Sequence, residues 1–292
     1  PYYKALIVNA DGWYEVVDAV AYVVSATNEI EMPGYATIAE AVATAMDGET
    51  VKLLTNVELS EILVIDKAIT LDGDNYTITS TAGRAINVDV AGEVTIMNLE
   101  IVGGKGCERG INVIQKVSTT NIVNVKVSGV SHYAVNVAAS AGTATVNVTN
   151  SELTGYGAIS ATSAGATVNV TNSVLVGINN YIDNGSNGFA TIFAVDGVSV
   201  TVNGGSVSAI STNGSASQAI LGANAGTTGA TFVITGAELI VDGDKAGYVG
   251  MKVAGNSVSV PANYASALND EGYAAVVEGD LAKIYEAVAK VG

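Results

Sequence analysis

Short runs in which every second residue is apolar recur along the chain, and a small polar residue closes each of them. The segment "ATVNVTNSELTG" at 144–155 returns as "ATVNVTNSVLVG" at 166–177, 22 positions later. Alternation of this kind predicts strands that bury one face. The same arrangement precedes Asn98 in "VTIMNLEIVG", Asn124 in "IVNVKVSG" and Asn203 in "VTVNGGSV", with a weaker copy in "FVITGAELIV", where Thr235 takes the Asn place. Asn98, Asn124, Asn150, Asn172 and Asn203 therefore make one column, with steps of 26, 26, 22 and 31 residues. Upstream, Gly73 of "AITLDG" falls in the same column.

A second column follows the first. It reads "RAINV" at 84–88, "RGINV" at 109–113, "YAVNV" at 133–137, "YGAIS" at 156–160, "FATIF" at 189–193, "QAILG" at 218–222 and "YVGMK" at 248–252. Self-similarity at a spacing of roughly 20–50 residues marks a solenoid or a propeller. Two or three short β-branched strands per repeat, divided by Gly, Asn and Ser, predict an all-β chain. The expected architecture is a right-handed parallel β-helix of roughly eight coils, stacked about 4.8 Å apart. In that arrangement each Asn of the first column turns a corner at positive φ, a conformation Asn tolerates better than most residues. Stacked copies can also bond their amides from coil to coil.

A solenoid needs covers at its ends, because open strand edges pair with other chains. Residues 37–46, "TIAEAVATAM", predict an N-terminal capping helix. Thr37 and Glu40 have capping-box spacing, and Ile38, Ala41, Val42, Ala45 and Met46 share a face. Gly48 is the expected stop. The chain then divides into a flank at 1–34, a β-helix at 35–262 and a second flank at 263–292. The flanks resemble each other: "NADGWYEVVD" from Asn9 and "NDEGYAAVVE" from Asn269 share their spacing at an offset of 260. Tandem units in end-to-end contact are the expectation, with Val276, Val277, Ile284 and Val288 in a continuing β-layer or at a contact with the next unit.

The formal charge of −16, from 28 acidic and 12 basic residues, opposes nucleic acid and anionic membranes as partners. Only Arg84 and Arg109 are arginines, and Cys107 is the single cysteine, so no internal disulfide forms. No run approaches the roughly 18 apolar residues of a membrane span, so membrane insertion is not expected. The chain starts at Pro1 without a methionine or a leader, and the expectation is a soluble piece of a longer precursor.

The Asn column and the strand–turn repeats over about residues 50–260 resemble right-handed parallel β-helix proteins of the pectate-lyase-like kind. The run "YATIAEAVATAMDGETVKLLTNVELSEILVIDKAITLDGDNYTITS" resembles the opening of β-helical modules in large surface proteins of Gram-positive, gut-type bacteria. That resemblance implies an extracellular location at the bacterial cell surface. It also implies a fold that hosts polysaccharide lyases and hydrolases. Such enzymes use Asp-bound calcium with an Arg or Lys base, or paired aspartates with a Gly-His-Gly element. This chain has no adjacent Asp pair, and His132 stands in "SHY" without flanking glycines. No residue is assigned a catalytic or metal-binding role.

The remaining chemistry is that of surfaces. Arg84 and Arg109 head successive copies of the second column, where Asp89 or Glu108 can pair with them. The loops "DGDN" at 72–75, "NNYIDNGSNG" at 179–188 and "DGDK" at 242–245 gather oxygen ligands suited to calcium, but they are also ordinary turn formers. Tyr133, Tyr156, Phe189 and Tyr248 head the second column, and Tyr181 lies in an insertion beside it. These rings either stack on a ligand, a glycan or a host or cell-surface protein, or stack on one another. Thr145, Thr167, Ser199 and Thr231 form an outward file of the type that binds ice, interrupted alongside by Asn147, Asn169 and Val233. The expected function is a non-catalytic extracellular module, a stalk, adhesin or surface-layer component. The alternative is a divergent carbohydrate-active enzyme.

Overall fold

The computed structural model describes residues 4–8, 10–27, 30–115, 118–180, 182–183, 187–188, 190–215, 218–223, 229–250 and 256–286. The alternating runs are strands. In Thr145–Thr149, Val146 and Val148 are buried while Thr145, Asn147 and Thr149 stay half-exposed. The chain is all-β with parallel sheets, and two of these dominate.

One sheet has eight strands: Leu63–Ile65, Arg84–Val88, Arg109–Val113, Tyr133–Val137, Gly157–Ala161, Ile192–Ala194, Gln218–Ala223 and Ala246–Gly250. Each pairs in parallel with the next copy along the chain. The second sheet is built from the first column. Glu93–Gly103 pairs in parallel with Thr119–Ser128, and Thr167–Ile178 with Ser199–Ile210. Two shorter strands, Thr145–Thr149 and Glu152–Gly155, stand where their neighbours run on as one.

The interruption falls at the Asn column. Met97 pairs with Val123 and Leu99 with Val125, which leaves Asn98 opposite Asn124 at a break in the ladder. Asn98, Asn124, Asn150 and Asn172 have φ of 50°, 53°, 49° and 47°. Asn203 does not belong with them. It pairs with Thr171, so the corner opposite Asn172 is Gly204, at φ 72°, and Gly236 follows at φ 62°. In the same way Thr235 pairs with Asn203 and precedes its corner. Glycine reaches positive φ without a Cβ penalty, so "NGG" moves the turn one residue onward.

Inward positions stack by type. Val94, Thr120, Val146, Val168, Val200, Phe232 and Val258 make one buried file, and Ile96, Ile122, Val148, Val170, Val202 and Ile234 make the next. Thr120 is the exception in its file. Its Oγ1 is buried and has no hydrogen-bond partner.

The helix runs Ile38–Thr44, with both halves of the capping box formed by Thr37 and Glu40. Ile38, Ala41 and Val42 are buried, and the helix packs against Ala21–Val24, Thr50–Leu53 and Leu63–Ile65. It stops earlier than residue 46. Ala45 is the C-cap, with Lys67 Nζ bonding the carbonyls of Val42 and Ala43, and Met46 is 61% exposed rather than on the buried face. Among the described residues no helix is long and apolar enough to cross a membrane.

Antiparallel strands border the second sheet. Ala21–Val24 lies against Thr50–Leu53, and Leu281–Glu286 against Ser257–Pro261. The matching flank segments are paired differently: Tyr14–Asp18 closes a hairpin with Lys4–Val8, whereas Tyr273–Glu278 opens one with Leu281–Glu286. Ile284 is buried, Val276 and Val277 are exposed, and Val288 lies outside the described residues.

Substitutions at two positions probe this packing by denaturant unfolding. Thr120→Val removes an unpartnered hydroxyl from a valine file at nearly constant shape, and should stabilise by about 1 kcal/mol; a loss of stability would contradict the inward assignment. Asn150→Val forces a β-branched residue to positive φ and should cost roughly 1–3 kcal/mol. Asn150→Gly, which relieves that strain, should stay close to the parent.

Candidate functional site

A groove of about 620 Å³ runs beside the corner column. Asn124, Asn150 and Asn172 line it at the corners, and Glu100, Lys126 and Glu152 line it on the strands that follow. The backbone under it is tightly tied. Ser151 Oγ accepts the Val125 N–H (3.1 Å) and donates to the Thr149 carbonyl (2.9 Å), and Ser173 Oγ repeats this with the Ser151 N–H (3.1 Å) and Thr171 (2.9 Å). The corner amides are partly linked: Asn124 Nδ2 donates to Asn98 Oδ1 at 2.9 Å, and Asn98 Nδ2 to Asp72 Oδ1 at 3.1 Å.

The charged wall is in register, Glu100 opposite Lys126 and Lys126 opposite Glu152. Lys126 Nζ lies 3.9 Å from Glu152, with both side chains about half exposed, and Thr77 Oγ1 donates to Glu100 at 3.0 Å. Alternating acid, base and acid along a parallel stack removes the repulsion that three like charges would suffer. The sequence carried this signal in "NLEIVG", "NVKVSG" and "NSELTG", where the charge stands two places after the Asn.

Among the described residues, Tyr133, Tyr156 and Tyr248 of the expected aromatic row do not share one position across the strands. Tyr133 pairs with Gly157, not with Tyr156. A Cβ on Gly157 would collide with Cε1 of Tyr133 and with the Ala190 carbonyl, so the Tyr133 ring occupies the space over that glycine. Tyr133 is 6% exposed, Tyr156 is 41% exposed, and burial pushes the Tyr133 phenol far up from its ordinary value. Tyr248 sits one position further along, because Val249 pairs with Leu221. Its ring meets Tyr264 at 5.7 Å between centroids, and its N–H donates to the Glu271 carboxylate at 3.0 Å. Burial raises both the Tyr248 phenol and the Glu271 carboxyl. Tyr181 and Phe189 lie outside the described residues.

Arg84 and Arg109 are partners across successive strands. Asp89 accepts from Gln115 (3.3 Å), and Glu108 approaches Arg109 at 3.7 Å. His132 Nδ1 lies 3.5 Å from Ser131 Oγ. Cys107 is buried, which pushes its thiol up. In the 72–75 turn, Asp72 and Asp74 approach Lys52 at 3.4 and 3.5 Å. Burial works to lower the Lys52 ammonium, but the two carboxylates outweigh it and hold it above its ordinary value. Among the described residues no group of three or more His, Cys, Asp or Glu gathers as a metal site.

Two amide ladders are formed by residues that alternation alone does not single out. Asn136 donates to Asn112 (2.7 Å) and Asn112 to Asn87 (3.0 Å) on the eight-stranded sheet. On the other sheet Asn169 donates to Asn147 and Asn147 to Asn121, both at 2.9 Å. The second ladder lies beside the file of Thr119, Thr145, Thr167, Ser199 and Thr231, and its amides are bonded to one another.

No protein-family model matches the chain, and no curated protein matches it. Among solved structures it is similar to ORF18 of Geobacillus virus E2, at 10% identity and a TM-score of 0.32, over 77% of this chain. The chain spans 57% of the length of that protein. A likeness at that score carries no argument about fold or function.

Proposed function

We propose that the chain is a right-handed parallel β-helix, covered at one end by the helix Ile38–Thr44, that serves as a non-catalytic extracellular module of a bacterial cell surface. The observation that carries this reading is the eight-stranded sheet, in which every strand pairs in parallel with its counterpart in the next repeat. Parallel strands of one sheet need a crossover between them, and the second sheet supplies it in each repeat. Such a stack is a rigid scaffold of the sort that displays a binding surface. The groove along Asn124, Asn150 and Asn172 is the surface offered, with amides and charges suited to the hydroxyls of a neutral or mixed-charge glycan.

A screen of immobilised glycans tests this, paired with product detection on the same polysaccharides. Binding without turnover, weakened about tenfold or more by Lys126→Ala, is the expected result. Turnover lost in Glu100→Gln or Glu152→Gln would instead establish the alternative, a divergent carbohydrate-active enzyme. That reading draws on two glutamates that the register places on alternate strands of one face, with backbones about 10 Å apart.

The flanks support tandem units in end-to-end contact. Leu6, Val8, Tyr14 and Val16 are exposed at one end and Val276 and Val277 at the other, apolar surface that a neighbouring unit would cover. Sedimentation of this chain should show weak, concentration-dependent association, greater at high salt as screening offsets the charge of −16. A monomer under every condition, with free flexing between units of a two-unit chain in scattering, would remove the end-to-end contact and leave separate modules.

A further inference from the structure

The chain has two arginines among 292 residues, and the fold places them side by side. Arg84 and Arg109 occupy the same position on adjacent parallel strands, a spacing of about 4.8 Å between backbones. Like charges directly opposite one another on a sheet oppose its stability. Three lysines on strands do meet carboxylates: Lys4 meets Asp18, Lys52 meets Asp72 and Asp74, and Lys126 meets Glu152. Although the chain carries 28 carboxylates, the Arg84 side chain has no ion pair and no hydrogen bond among the described residues, and the Arg109 side chain pairs with Glu108, at 3.7 Å. The Nε atoms of both are buried without an acceptor.

The surroundings hold the pair in place. Tyr133, buried and next in the same column, lies beside Arg109, and its ring is fixed over Gly157. Burial first, and the charge of Arg84 next, lower the Arg109 guanidinium from its ordinary value, against the opposing pull of Glu108 and Tyr133.

We propose that Arg84 and Arg109 together bind one oxyanion, a carboxylate or a sulfate, at this column of the eight-stranded sheet. The outer nitrogens of a guanidinium match the paired oxygens of such a group, and two guanidinia held by strand register are organised for it in advance. The net charge restricts the ligand further. A protein at −16 repels polyanions, so a single charged group on a small or otherwise neutral molecule fits and a nucleic acid does not.

With only two arginines, the Nε–H region of a nitrogen–proton correlation spectrum holds two signals, and burial slows their exchange enough to be followed. Sodium acetate, sodium sulfate and sodium glucuronate would be titrated separately, against sodium chloride at matched ionic strength. The expected result is that both signals move together and saturate with a shared midpoint. Arg84→Gln should weaken the response of the remaining Arg109 signal roughly tenfold or more, and Arg109→Gln should do the same for Arg84. A glucuronate midpoint well below that of acetate would assign the oxyanion to a sugar acid; equal midpoints would assign it to free small anions. Signals that stay with the chloride control, or drift without saturation, or move one without the other, would overturn the site. The parent titration decides the matter even if a variant fails to fold, and an unchanged amide spectrum certifies those that do.

Discussion

Backbone hydrogen bonds between successive parallel strands hold each residue about 4.8 Å from its equivalent in the next repeat, and the sequence must accept whatever that spacing brings together. Apolar residues accept it readily, as in the file from Ile96 to Ile234. Asparagine accepts it because one amide both donates and accepts, so Asn136, Asn112 and Asn87 chain together with no outside partner needed between them. A large ring accepts it only if its neighbour is small, which is why Tyr133 is followed by Gly157. Charges accept it when the sign alternates, as in Glu100, Lys126 and Glu152. Arg84 beside Arg109 satisfies none of these conditions, and that is what singles the pair out.

The corner column depends on the same spacing. A residue at positive φ breaks the ladder locally, and the break is harmless only when every repeat turns at the same place. Asn98, Asn124, Asn150 and Asn172 do so, and Gly204 and Gly236 continue the line. The concave surface beside them follows from the bend rather than from any one side chain. Ser151 and Ser173, each placed one residue after a corner, then satisfy backbone groups that the bend would leave unpaired in the interior.

This logic decides what could be read from the sequence. The four Asn corners were legible because each follows two inward residues of an alternating run, all of them apolar save Thr120. Asn203 misled because "NGG" contains a better positive-φ residue one place later, and side-chain identity gave no hint of the shift. Tyr156 misled for a related reason: "YGAIS" aligns with "YAVNV" by its ring, whereas the structure aligns Gly157 with Tyr133, and a glycine has no side chain to announce its place. The pairing of Arg84 with Arg109 was visible in "RAINV" and "RGINV". That one carboxylate would serve both was not: Glu108 does approach Arg109, at 3.7 Å, but Asp89, close to Arg84 in sequence, instead meets Gln115. The groove's charged wall was present in the text as an alternation across repeats, a pattern that reading along one strand does not reveal.

The ends show the constraint from the other side. A parallel stack has no natural last member, and its final edge presents unpaired backbone groups. Here antiparallel strands finish it, Ala21–Val24 at one end and Leu281–Glu286 at the other, so the edge bonds are satisfied by chain that reverses direction. In both, the residues facing inward are small then branched, Ala21 with Val23 and Ala282 with Ile284, all nearly inaccessible. The two borders thus solve one packing problem with one pattern. The exposed apolar residues lie outside the border strands themselves, Leu6, Val8, Tyr14 and Val16 on the Lys4–Val8 and Tyr14–Asp18 hairpin and Val276 and Val277 on Tyr273–Glu278, so burial is complete only where a strand lies directly against the parallel sheet.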